Sequence, residues 1–194
     1  QKPQYISVFM ALPSIMTVIG ILLTKNYIVR WGKKKVTAIG YAGAGITLIL
    51  MYFMDPSNLT LMIVLHALYG FFCFSFPIPM SMIPEAINYQ EDRIGIRTDG
   101  LAYTATSLST KVGNAFGPAM ALMIMGAFGY VANAQQSVEA MKGINLATNL
   151  VFGICYLLAL IPLFLYPLNA EKNAQIQASL DAKRNARQAG MEKE

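Results

Sequence analysis

Five apolar runs, each near the ~20 residues that a helix needs to cross a bilayer, dominate this sequence and leave few folds open to it. They cover residues 5–24, 36–54, 59–83, 101–125 and 144–166. Inside hydrocarbon every backbone N–H and C=O must be satisfied within the protein, so runs of this length fold as helices. The expected class is an all-α membrane protein with five transmembrane helices. Composition agrees, because 55% of the 194 residues are hydrophobic and only 13% charged, against roughly a quarter charged in a soluble domain.

The net charge of +5 would suit nucleic acid if it formed one patch, but it gathers in short segments between apolar runs. Lys25, Arg30, Lys33, Lys34 and Lys35 follow the first run, and Arg93 and Arg97 follow the third. Lys172, Lys183, Arg184, Arg187 and Lys193 follow the fifth, whereas the opposite side holds Lys2 and Lys142. Basic loops stay in the cytoplasm, so the N-terminus is expected outside and the C-terminus inside. No nucleic-acid partner is expected; the lipid bilayer is. Cys73 and Cys155 lie within apolar runs without metal spacing or a disulfide framework, and His66 lacks any metal-ligand context. With no nucleophile motif, metal motif or P-loop either, no enzyme and no cofactor are expected. The chain starts on Gln1, which suggests that a segment precedes it.

Three polar features interrupt the apolar runs. Pro77 and Pro79, with Pro84 beyond them, fall in FSFPIPMSMIPEA; each removes a backbone donor and crowds the preceding turn, so this helix should break. Gly40, Gly43, Ala44 and Gly45 in the second run, and Gly113 with Gly117 in the fourth, permit close helix contact; packing is the expected role of all of them. The third feature is Lys111, alone in LAYTATSLSTKVGNAFGPAMALMIM. A cation at mid-bilayer costs roughly 2.5–3.5 kcal/mol on insertion scales, and such residues usually face a wet cavity or a buried partner. Tyr103, Ser107, Lys111 and Asn114 share one helical face by their spacing, with Thr106 and Thr110 beside it. Hydroxyls and an amide around an ammonium can bind a polyol or can glue helices together; the lysine favours the cavity.

Between the third and fourth runs, MIPEAINYQEDRIGIRTDGLAYTATSLSTKVGNAFG resembles the signature region of the glycoside–pentoside–hexuronide:cation symporters, the melibiose-carrier-like branch of the major facilitator superfamily. The family pattern is an acidic residue, Asp-Tyr-Gly-Glu, a Gly-Ile/Val-Arg-x-Glu/Asp-Gly turn, and a helix with a lysine. Glu85, Asn88, Tyr89, Gln90, Glu91, Gly95, Ile96, Arg97, Asp99, Gly100 and Lys111 stand in those places. RWGKKK is similar to the loop between the family's eighth and ninth helices, and GYVANAQQSVEAMKGIN to the loop before its last. Asn88 replaces the usual Asp and Gln90 the usual Gly, which puts an ionic gating contact in doubt.

The resemblance implies that the five runs are helices 8–12, with residues 1–168 a partial C-terminal transmembrane bundle and 169–194 a cytoplasmic polar tail. It implies a fragment of a secondary active transporter, whose partner is the missing N-terminal bundle, source of most cation-binding aspartates. The implied activity is symport of a sugar, glycoside or hexuronide with Na⁺ or H⁺ by alternating access. On that view Lys111, Ser107, Thr106, Asn114 and Tyr103 line the cavity, and Phe76 offers its ring to the sugar. Glu85, Tyr89, Glu91, Asp92, Arg93, Arg97 and Asp99 form a cytoplasmic gating cluster. A helical membrane subunit or scaffold without transport of its own is the alternative.

Overall fold

The computed structural model describes residues 3–55 and 57–191; Lys2 and Lys193, counted in the charge asymmetry, lie outside them. The described residues are helical almost throughout, without a strand. Helix α1 spans Pro3–Phe53, α2 Leu59–Phe72, α3 Ile78–Ile94 and α4 Asp99–Ala127. The last pass is α5 Val138–Asn145, a π turn Leu146–Val151, α6 Phe152–Leu158 and α7 Leu160–Leu165, and α8 Ala170–Met191 follows it.

Gly32 divides α1 into two passes. It alone in that helix leaves the helical region, at φ 78° and ψ 156°, a conformation that costs glycine little and a residue with a Cβ a great deal. The expectation of a loop between runs one and two is corrected here. Residues 25–31 and 33–35 stay helical, because only Gly32 releases the chain and its neighbours are mostly adequate helix formers. A tight turn ends the second pass, where Ser57 N–H donates to Asp55 Oδ1 at 2.9 Å and Asn58 caps α2 through Leu61 N–H at 3.2 Å.

The third run breaks where its prolines predict. A 3₁₀ turn at Cys73–Ser75 ends α2, Pro77 is the N-cap of α3, and Pro79 occupies its first turn. Proline is tolerated there because those N–H groups lack helical acceptors in any case. Beyond the break the structure corrects another expectation. Residues 84–94, read as the start of a polar loop, continue α3 until Gly95 ends it at φ 72°, which leaves 95–98 as the connection.

Helices α1, α2 and α6 make the tightest packing. A Cβ on Gly40 would strike the Ser75 side chain, one on Gly43 the Phe72 ring, and one on Gly45 the backbone of Gly153. Val36, Phe74, Ile78 and Met82 form one buried cluster, and Leu48, Met51 and Leu65 another. Gly113 and Gly117 differ: nothing lies within 4 Å of a Cβ on either, so the expected packing role is not met inside this chain. Nor is any residue of α4 buried.

Among the described residues three helical stretches are long and apolar enough to cross a membrane, Phe9–Phe53, Leu59–Ile94 and Val138–Leu165. The first contains both passes of α1. With α4, whose 29 residues extend about 43 Å at 1.5 Å per residue, they make five passes. Its polar face lowers the apolarity of α4 without shortening it. The chain is an all-α, multi-pass membrane protein.

Candidate functional site

The polar face of α4 is a row of side chains without partners among the described residues, on a helix whose apolar side is equally exposed. Tyr103 is 50% exposed, and Ser107, Lys111 and Asn114 are all exposed. Thr106 turns its hydroxyl back to Ala102 O at 2.8 Å and Thr110 to Thr106 O at 2.9 Å. Such back-bonding uses the hydroxyl's hydrogen and leaves its lone pairs open to a donor. Among the described residues no carboxylate lies within salt-bridge distance of Lys111. The principal neighbours of α4 are α3 at one end and α5 with the π turn at the other. Phe76 sits on a different element, the broken turn before α3, and is 72% exposed.

The charged residues after Pro84 resolve into two clusters on α3. In the first, Glu85 Oε1 accepts from Lys33 Nζ at 2.6 Å, and its Oε2 accepts from the Tyr166 hydroxyl at 3.2 Å. Lys34 lies alongside, donating to Tyr166 O at 2.6 Å and Phe164 O at 3.1 Å. This ties the α1 kink, α3 and the end of α7 together.

The second cluster joins α3, the start of α4, and α8. Arg97 donates to Asp99 at 2.6 Å and to Glu91 at 2.8 Å; those carboxylates, Asp99 foremost, hold its pKa above the usual arginine value. Glu91 also accepts from Arg184 at 3.2 Å, and Asp92 from Lys183 at 2.6 Å and Ser179 at 2.8 Å. Hydrogen bonding from Lys183, then from Ser179, holds the Asp92 carboxyl below its usual range. Arg93 and Lys172 both place cations over the Tyr89 ring, at 5.4 and 5.2 Å. Single exposed pairs are worth at most about 1 kcal/mol, but a network with shared partners holds geometry better.

Asn88 and Gln90, the two departures from the pattern, both make contacts. Asn88 Oδ1 accepts from Arg97 while its Nδ2 donates to Gln177 Oε1, each at 3.1 Å. Gln90 Oε1 accepts from the Thr98 hydroxyl at 2.9 Å. A carboxylate at 88 would keep the first bond and lose the second, since it has no hydrogen to donate.

Sequence reasoning missed Lys33, Lys34, Tyr166, Lys183 and Arg184 as members of these clusters. The available signal was in 170–191, where Ala, Gln, Lys and Arg favour helix and Ile176 and Leu180 stand four apart. These two close a buried cluster with Leu168 against Tyr89 and Tyr166, which docks α8 on α3.

A broken helix, a polar face bearing Lys111 and a charged collar at one end belong to a membrane-embedded, multi-pass bundle. The family described as MFS/sugar transport protein matches residues 1–170, and the chain belongs to it. Its members are transporters, not enzymes. The chain is 29% identical to the uncharacterized symporter YjmB of Bacillus subtilis, over 85% of this chain and 36% of that protein. It is 32% identical to the uncharacterized symporter YnaJ of the same organism, over 77% and 33%. To the glucuronide carrier protein homolog of Escherichia coli it is 27% identical, over 89% and 38%. The chain thus spans about a third of the length of the curated relatives it matches.

Proposed function

We propose that this chain supplies five helices, corresponding to helices 8–12, of a symporter that couples Na⁺ or H⁺ to uptake of a sugar, glycoside or hexuronide. The observation that carries this reading is the α4 face of Tyr103, Ser107, Lys111 and Asn114, which finds no partner among the described residues although α1, α2 and α6 pack closely. A lysine in an apolar pass needs water, a substrate or an opposing charge. In alternating access two bundles rock about a midplane site; lipid can cover the equally exposed Leu108 and Phe116 but not an ammonium and hydroxyls, which favours the polar side of α4 for that site. Lys111 would link cation and sugar, Ser107, Thr106 and Asn114 would bond hydroxyls, and Phe76 would pack on the sugar's CH face. The names of relatives, symporters and a glucuronide carrier homolog, agree with this class.

The collar of Glu85, Tyr89, Glu91, Asp92, Arg93, Arg97 and Asp99 acts on this reading as the cytoplasmic gate, its contacts favouring one of the two access states. The charge asymmetry supports a cytoplasmic C-terminus. Replacing Lys111 with Met in the whole transporter tests the proposal, since Met keeps the apolar stem and removes the charge and three donors. Uptake should fall at least tenfold while expression and insertion stay normal, a barrier change of about 1.4 kcal/mol or more. Unchanged uptake at unchanged expression would remove Lys111 from the path.

A further inference from the structure

A cleft of about 600 Å³ opens where the α1 kink meets α3 and the α7–α8 junction. Its rim carries Arg30, Lys33, Lys34 and Lys35 against two carboxylates, Glu85 and Glu171. Lys33 is spent on Glu85, and Lys34 on the carbonyls of Phe164 and Tyr166. Arg30 and Lys35 are exposed, and among the described residues neither meets a carboxylate. Half-buried Ile28 and exposed Val29 supply its accessible apolar lining, with buried Met82 and Leu168 behind them. Trp31, 46% exposed and stacked on Tyr27 at 5.6 Å, stands at its edge. It sits at the end of a pass, where tryptophan marks the membrane–water boundary.

We infer that this cleft binds the phosphate headgroup of an anionic lipid, with Arg30 and Lys35 on the phosphate and the first acyl carbons over Ile28 and Val29. Topology alone requires basic residues somewhere in the connection, but it does not require them around an apolar-lined cleft. Basic pockets between helices at a membrane surface suit anionic headgroups. Free phosphate would meet the same cations without using the apolar lining or Trp31, so the lipid is the better fit. Only the assignment to the inner leaflet rests on the orientation proposed above; binding itself needs neither that orientation nor transport.

Trp31 is the sole tryptophan of these 194 residues, so in the whole transporter, with every tryptophan outside this chain replaced by Phe, it reports on the cleft directly. In neutral detergent micelles, phosphatidylglycerol with brominated acyl chains should quench Trp31 fluorescence at lower mole fraction than brominated phosphatidylcholine. Excess inorganic phosphate should not reverse the effect. Replacing Arg30 and Lys35 by Gln should weaken the phosphatidylglycerol effect by about fivefold for each cation removed. Arg30→Lys with Lys35→Arg should retain it, and so should Lys142→Gln in α5. Equal quenching by the two lipids would overturn the site, as would full reversal by phosphate or a loss as large in Lys142→Gln. Because the protein with Arg30 and Lys35 intact already decides between lipids, a misfolded variant leaves the proposal testable. Because transport is not read, failure here leaves the symporter reading standing.

Discussion

Lys111 and Gly40 show two opposite ways in which one residue constrains a membrane helix. Gly40 is fixed by what touches it, since a Cβ would enter the space of the Ser75 side chain beside the break after α2. Gly40→Val should therefore destabilise the protein by about 1–3 kcal/mol, the usual cost of forcing atoms into a packed contact, and thermal unfolding in detergent would show it. Gly113→Ala meets nothing within 4 Å and should leave the chain's own packing intact. A melting temperature lowered as much by Gly113→Ala as by Gly40→Val would contradict that division. Lys111 is fixed by what it lacks, having no partner among the described residues. The sequence shows both residues, but the small-xxx-small pattern does not distinguish glycines at a contact from glycines facing open space. That difference depends on which helix lies opposite, and only the folded chain supplies it.

Among the elements, the prolines at 77 and 79 were legible because a missing donor acts locally. The polar segments were less so. Residues 84–94 are charged and look like a loop, yet Glu, Gln and Arg extend α3 one turn after another until a left-handed glycine stops it. Likewise 170–191 reads as a solvated tail until Leu168, Ile176 and Leu180 are seen against Tyr89 and Tyr166. Docking of α8 has a pH dependence with a definite sign. The Asp92 carboxyl is held below its usual range, so its contribution is complete above the ordinary aspartate value of about 3.9 and is lost as pH falls through the lower folded value. Hydrogen exchange in α8 should stay constant from neutral pH to about pH 4, after correction for intrinsic rates, and accelerate below. Asp92→Asn should accelerate it at neutral pH. Exchange that first accelerates between pH 7 and pH 5 would point away from Asp92.

At the scale of the whole molecule, four of the five passes are tied by buried contacts and the α4 face is left over. The five passes were readable from run length, although the polar residues that make α4 interesting also dilute its apolarity. What the sequence could not display is that α4 as a whole, its polar face included, buries no residue once the other helices have packed. The orientation proposed above rests on charge, with twelve basic residues on one side and two on the other. Reporters fused at Gln135 and after Glu194 should therefore report external and cytoplasmic sites respectively, and finding both on one side would refute the five-pass topology.

Thiol accessibility along α4 tests the central claim most directly, once Cys73 and Cys155 are replaced by Ala in the whole transporter. Single cysteines at 103, 107, 111 and 114 should react with a membrane-impermeant thiol reagent. Cysteines at 101, 105, 112 and 116 should react far more slowly, since they lie off that face. Saturating substrate should protect 107, 111 and 114. A helical alternation of reactivity with substrate protection at those positions is the result that the account predicts. Uniformly unreactive positions along 101–116, with uptake intact, would mean that the Lys111 face is sealed against protein or lipid and lines no path.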